Sequence, residues 1–182
     1  MQTIEFVGIA RSGKTTTAKY LEKEYKNVVF HPEKHLLVPK SLWKDNYKHN
    51  LWYANYLIDE LKKSLEDPKI HIFERGIVDR VIIGNTYYGM GWISKKQWDE
   101  FNTLLNPWIE KIDKVFVFLI PVEESVKRAE ALEKDVKRAV PYMNLLYKEY
   151  IKLKDWFPRT VYLSENAIPE KLQNITSENI FG

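Results

Sequence analysis

The chain has 182 residues, enough for one domain with a sizeable core. Its net charge of +3 mixes acids and bases along the chain, and the only basic run is Lys134 to Arg138, so a nucleic-acid-binding stripe is not expected. With no cysteine, disulfides and thiolate metal sites are excluded, which suits a reducing cytoplasm. No apolar stretch approaches the roughly 20 residues that span a bilayer, and the first residues read as a strand, not a leader. The expectation is a cytoplasmic protein with neither a membrane nor a stable nucleic-acid partner.

Short apolar runs alternate with longer amphipathic stretches, the pattern of a parallel sheet covered by helices. Strands are predicted at Thr3–Val7, Asn27–Phe30, Lys69–Phe73, Lys114–Leu119 and Thr160–Leu163. Helices are predicted at about Lys14–Glu24, Leu42–Leu65, Asp79–Tyr88, Ser94–Glu110, Val122–Ala131, Pro141–Trp156 and Pro169–Ile175. The runs Val28-Val29-Phe30 and Val115 to Leu119 are continuously apolar, as strands covered on both faces are. No linker, repeat or low-complexity tract divides the chain, so a single α/β domain over 1–182 is expected. Ligands of such a domain belong beyond the carboxyl ends of the strands.

Gly8-Ile9-Ala10-Arg11-Ser12-Gly13-Lys14-Thr15 matches the pattern G-x-x-x-x-G-K-[ST] in full, between a strand and an amphipathic helix. Two glycines let the backbone curl so that successive N–H groups face a phosphate. The helix start, at Lys14, Thr15 and Thr16, adds free N–H groups and a positive dipole end. Lys14 reaches the β- and γ-phosphates and the Thr15 hydroxyl suits Mg²⁺. The loop predicts a nucleoside triphosphate, ATP with magnesium, held by Gly8, Ala10, Arg11, Ser12, Gly13, Lys14, Thr15 and Thr16.

The later strand ends separate the function classes. The Lys114–Leu119 strand leads into Ile120-Pro121-Val122-Glu123-Glu124, which lacks the Asn-Lys-x-Asp of a GTPase. The third strand ends Phe73-Glu74-Arg75-Gly76, where a motor ATPase usually carries Asp-Glu. An acid followed by an arginine suits phosphoryl transfer to a bound acceptor, Glu74 serving the metal and Arg75 the moving charge. A plain surface ion pair is the alternative for these two residues.

These patches resemble the thymidylate kinase and deoxynucleoside kinase group of P-loop enzymes. The likeness is specific in the loop Gly8–Thr15, the strand end Glu74-Arg75 and the run Lys114–Tyr150. It implies a three-layer P-loop NTPase fold with a five-stranded parallel sheet and a helical lid at about 128–140. In deoxynucleoside kinases the third strand ends Glu-Arg-Ser, followed shortly by an Asp-Arg pair. Here Gly76 replaces the serine, and Asp79-Arg80 comes one residue sooner, so Asp79 and Arg80 read the acceptor or Asp79 caps its own helix.

The same resemblance places a general base after the second strand. This chain has His31-Pro32-Glu33 there, so Glu33 or His31 takes the proton of a hydroxyl, or a monophosphate acceptor needs no base. On the long helix, positions 51, 54, 58, 61 and 65 form an apolar stripe that includes Asn55. The resemblance assigns base reading to an amide on this helix, and Asn55 is the nearest candidate. Trp52 and Tyr56 beside it stack on a base or pack in the core. Arg128 first and Arg138 second are the lid arginines expected to meet the transferring group. A solvated charged helix is the other reading of that segment.

The expected reaction is transfer of the γ-phosphoryl of ATP to a nucleoside or nucleoside monophosphate. A kinase for another metabolite, or a regulatory ATP-binding protein without catalysis, are the alternatives. The resemblance also implies a possible homodimer, with which Trp92, Trp98 and Trp108 are compatible.

Overall fold

The computed structural model describes residues 1–163 and 169–181. In chain order they form β1 (Gln2–Gly8), α1 (Lys14–Glu24), β2 (Val28–His31), α2 (Asn46–Ser64), β3 (Ile70–Glu74) and α3 (Ile77–Gly89). Next come α4 (Lys95–Ile109), β4 (Lys114–Phe118), α5 (Val122–Glu130), α6 (Val140–Ile151), α7 (Leu153–Trp156), β5 (Thr160–Leu163) and α8 (Pro169–Phe181). All strand pairs are parallel, in the order β2-β3-β1-β4-β5. Among the described residues no helix is long and apolar enough to cross a membrane.

The sheet is covered on both faces. Ile4, Phe6, Phe30, Ile72, Phe116 and Phe118 pack with Ala18 and Leu21 of α1 and with Ile175 and Ile180 of α8. The alternate residues Val7, Phe73, Val115 and Val117 face a larger core built from α2, α3, α4 and α6. Strand alternation therefore assigns the two layers; the apolar run of β4 is buried on both sides, whereas Val28-Val29-Phe30, expected to be central, forms the edge strand β2, where Val29 is only partly buried.

Helix starts follow local capping. Ser94 and Gln97 form a capping box for α4. The helix expected from Leu42 begins instead at Asn46, because the Asp45 carboxylate accepts the Lys48 N–H at 3.0 Å. The stretch expected as one helix from Pro141 to Trp156 breaks at Lys152 into α6 and α7. The charged segment after α5 leaves the helix at Ala131. Glu133 turns in the left-handed region (φ 56°), and a short 3₁₀ turn at Lys137–Ala139 leads into α6.

Candidate active site

Three strand ends meet at one edge of the sheet. The loop after β1, the segment after β2 and the turn after β3 lie side by side because β1, β3 and β2 are neighbours in the sheet. Gly8 makes the first of these turns possible: its φ is 129°, and a Cβ there would stand 2.2 Å from the Phe118 carbonyl oxygen of β4. The loop is fastened from outside by Ser125 of α5, whose hydroxyl donates to the Ala10 carbonyl at 2.8 Å.

Arg11, Ser12, Gly13, Lys14, Thr15, Thr16, Glu74 and Arg128 line a cleft of about 310 Å³. The Lys14 ammonium is buried and donates to the Gly8 carbonyl (3.1 Å), the Ile9 carbonyl (2.8 Å) and the Ser12 hydroxyl (3.3 Å). Burial, with Arg75 nearby, pulls this lysine down to about 7. A polyphosphate in the cleft reverses that balance, since it supplies the anion the loop carbonyls replace only in part. The Thr15 hydroxyl donates to Glu74 at 2.6 Å. A hydroxyl and a carboxylate oxygen at the rim of a phosphate cradle fit magnesium, which takes one or two protein oxygens and completes its shell with water and phosphate. Arg128 reaches the same cleft, its guanidinium donating to the Arg11 carbonyl (2.9 Å) and to Glu124 (2.7 Å). Arg138 stands exposed on the 3₁₀ turn and is not among the residues lining this cleft.

On the other side of the loop, Ile9 and Ala10 form the wall of a second cavity of about 250 Å³. Its polar lining is Glu33, His35, His49, Arg75 and Arg80, and Tyr87 and Tyr142 are its aromatic walls. Arg75 has a left-handed backbone (φ 57°), uncommon for a side chain of this size and a form of strain that concentrates at functional sites. Its guanidinium lies 3.2 Å from Glu33, 3.5 Å from Asp79 and 3.2 Å from the Tyr150 hydroxyl.

Asp79 is fully buried and fully engaged: Tyr150 donates to one oxygen at 2.5 Å and Arg80 to the other at 2.9 Å. Burial works to raise its carboxyl, but Arg75 and Arg80 outweigh burial and hold it below the usual carboxylate range. Asp79 therefore sits in the first turn of α3 as the hub of an arginine pair and does not line the second cavity. Arg80, which does, is held over the Tyr53 ring and toward the Asn50 side-chain oxygen (3.4 Å).

Asn55, Trp52, Tyr56 and His31 do not line this cavity, and for Trp52 and Tyr56 the structure has the core-packing alternative. Asn55 is exposed, and its amide donates to the Leu51 carbonyl one turn back. The buried face of α2 runs through Asn50, Tyr53, Ala54, Leu57, Ile58, Leu61 and Ser64, and Asn55 lies roughly 140° round from its centre at 3.6 residues per turn. Trp52 and Tyr56 stack on each other (6.0 Å, 1°) and pack against the core, away from the cavity. His31 stacks on Phe73 at 4.2 Å and shares a hydrogen bond with His71 at 2.9 Å. Burial, with His71 beside it, pushes His31 down to about 4, and it does not line the cavity.

The cavity residues His35, His49, Tyr87 and Tyr142 carry no motif in the sequence. Only the spacing Tyr142, Leu146, Tyr150 on one helical face signals that α6 turns aromatic rings toward the site.

No family model and no curated protein matches the sequence. Solved structures do. Deoxyadenosine kinase from M. mycoides with bound dATP superposes with a TM-score of 0.79 at 13% identity, over all of both chains. The same enzyme with dCMP and dCDP bound gives 0.77 at 14%, over 98% of each chain. Thymidylate kinase from Candida albicans gives 0.78 at 15%, over 98% of this chain and 90% of that one. The fold is that of these P-loop kinases. Its three layers, five parallel strands and Gly8–Thr15 loop are the ones the sequence led us to expect. In this kinase fold the two cavities flank the same loop, with Glu74 opening on one and Arg75 on the other.

Proposed function

We propose that the chain is an ATP- and magnesium-dependent kinase that phosphorylates a hydroxyl of a nucleoside. The observation that carries this reading is the position of Glu33: a carboxylate in the acceptor-side cavity, ion-paired with Arg75, which directly follows the phosphate-side Glu74 in the chain. Among the described residues the two arginines lining this cavity, Arg75 and Arg80, have their charges matched by two carboxylates, Glu33 and Asp79, which disfavours a dianionic monophosphate, although the buried Arg80 Nε–H has no hydrogen-bond partner. A hydroxyl acceptor needs the opposite, a carboxylate to take its proton. The likeness of the fold to deoxyadenosine kinase supports the same reading. The flat walls Tyr87 and Tyr142 suit a planar ring.

In this mechanism the loop N–H groups and Lys14 bind the triphosphate, Lys14 exchanging its loop carbonyls for phosphate oxygens. Thr15 and Glu74 would hold Mg²⁺, which neutralises phosphate charge when bound. Glu33 accepts the hydroxyl proton as the acceptor oxygen forms its bond to the γ-phosphorus. The bond from that phosphorus to the β,γ-bridging oxygen breaks, and ADP keeps the electron pair. Arg75 and Arg128 face the two ends of this transfer and offset the charge that develops there. The segment at about 128–140 is read as the lid, the chain as one domain over 1–182, and its setting as cytoplasmic.

The test is transfer of label from γ-labelled ATP, with magnesium, to a panel of nucleosides, nucleoside monophosphates and hydroxylated metabolites, with Lys14→Ala as blank. Labelled nucleoside monophosphate is the expected product. Product from monophosphates alone would overturn the hydroxyl reading. No product from any acceptor, with ATP still bound, would overturn the kinase reading and leave a regulatory ATP-binding protein.

A further inference from the structure

The first turn of an α-helix carries N–H groups with no partner inside the helix, and a side chain at the N-cap usually receives one of them. At the start of α3 the N-cap is Gly76, which has no side chain to offer. The acceptor comes instead from β1, 73 residues away. Both carboxyl oxygens of Glu5 lie 3.0 Å from the Val78 nitrogen, and one lies 3.3 Å from the Asp79 nitrogen. Glu5 is fully buried, on the sheet face that carries the larger core, directly beneath the turn that ends β3.

The absence of a side chain at 76 and the presence of Glu5 are one feature seen from two sides. A Cβ at position 76 would stand 2.6 Å from the Glu5 Cδ and Oε1 and 2.9 Å from its Cγ. The Glu5 carboxyl group fills the space that a capping side chain would occupy. The residues on either side of this contact are the ones that build the acceptor-side cavity. Arg75 precedes Gly76 in a left-handed conformation, and its N–H is tied to the Phe6 carbonyl at 3.1 Å, next to Glu5 in the strand. Asp79, whose own N–H is among those Glu5 receives, holds Arg75, Arg80 and Tyr150.

We propose that Glu5 is a positioning residue: it caps α3 in place of a side chain at 76 and so seats Arg75 and Asp79 for the acceptor. Its effect on transfer rests on the kinase reading above; its effect as a cap does not. The arrangement is reciprocal, so a serine at 76 and a glutamate at 5 exclude each other, whereas a serine at 76 can replace a missing glutamate, since serine is favoured at N-caps.

The experiment is a double-mutant cycle of Glu5→Ala and Gly76→Ser, with Glu5→Gln as the isosteric control, read by thermal unfolding, ATP affinity and acceptor kinetics. Each single substitution is expected to lower the unfolding midpoint, Gly76→Ser because its side chain displaces the carboxylate from the Val78 N–H. The double variant is expected to recover at least half of the Glu5→Ala loss, or to fold where a single variant does not. Acceptor kcat/KM is expected to fall about tenfold in Glu5→Ala with ATP affinity unchanged, and to recover in the double variant. Glu5→Gln, which keeps one acceptor oxygen, is expected to lie between wild type and Glu5→Ala. Midpoint losses that simply add overturn the cap. Coupled midpoints with unaltered acceptor kinetics overturn the positioning role. A wild type that phosphorylates nothing overturns the kinase reading, while the unfolding cycle still decides whether Glu5 is the cap.

Discussion

The Thr15 hydroxyl donates to a Glu74 carboxylate oxygen at 2.6 Å, joining the first turn of α1 to the end of β3. Both residues open on the phosphate cleft. On the proposed reading, a metal held there would be shared by the Gly8–Thr15 loop and the strand that leads to Arg75.

Glu74→Gln keeps the shape of this contact and removes its charge. Transfer at a fixed low magnesium concentration is expected to fall at least about tenfold, with part of the loss regained as magnesium is raised. ATP affinity measured without magnesium is expected to stay within about twofold of wild type. A magnesium titration of the transfer rate, with ATP binding measured in a chelator, checks both.

Glu33→Gln separates base catalysis from the support of Arg75. Arg75 keeps Asp79 and Tyr150 in this variant, so the cavity should hold its shape. The expected result is a kcat lower by about 10²- to 10⁴-fold with acceptor KM changed little, in steady-state assays on the acceptor identified by the labelling panel.

Asn50→Ala and Asn55→Ala should behave oppositely. Asn50 is buried and faces the Arg80 guanidinium, so its loss is expected to cost about 1–3 kcal/mol and to raise acceptor KM. Asn55 is exposed and bonds only to its own helix, so its replacement by alanine is expected to leave both within about 0.5 kcal/mol and twofold. Chemical denaturation and acceptor kinetics on the two variants decide it.

Gly8→Ala adds a Cβ where the φ of 129° and the Phe118 carbonyl oxygen leave no place for one. The variant is expected to lose about 3 kcal/mol or more of stability, because the turn and the β1–β4 pairing are strained together. Thermal unfolding measures this. Nucleotide affinity should fall with it.

Glu5 gives stability a pH dependence of defined sign. Burial raises its carboxyl from an ordinary 4.5 to about 8, against the pull of the Val78 and Asp79 N–H groups, with the Asp79 charge adding to burial. The folded chain thus keeps a proton that the unfolded chain releases between those values, and stability falls as pH rises across that window. The slope is at most roughly 1.4 kcal/mol per pH unit, and Glu5→Gln should abolish it. Unfolding midpoints of the two proteins from pH 4.5 to 8 are the comparison; parallel curves would show that Glu5 does not titrate there.

The Gly8–Thr15 loop, the candidate phosphate cradle, is legible in the sequence because it is local. Eight consecutive residues, Gly8 to Thr15, specify a turn, an anion cradle and a helix start, and the chemistry needs nothing from farther away. β4 is equally plain, since burial on both faces leaves a continuous apolar run, whereas the central β1 carries Thr3 and Glu5 and the apolar run of β2 belongs to an edge strand. The second cavity is not, because its residues come from the ends of β2 and β3 and from α2, α3 and α6. Asn55 illustrates the difficulty. An apolar stripe read through Leu51 and Leu65 puts Asn55 at its edge, whereas the packed face is turned toward Tyr53 and Leu57. Leu51 and Leu65 are partly exposed at the rim of the core. A one-dimensional pattern cannot locate the centre of a stripe more finely than its own width. Glu5 escapes notice for another reason: an acid between Ile4 and Phe6 reads as the solvent face of a strand, and only the helix laid over it by the chain 73 residues later makes it an interior group.

The left-handed turn at Arg75 also sets a ruler. Glu74 and Arg75 are consecutive and joined by a trans peptide, so their α-carbons are held about 3.8 Å apart by bond lengths alone. The backbone step from the cleft-lining Glu74 to the cavity-lining Arg75 is thereby written in covalent geometry, which thermal motion and core substitutions do not stretch.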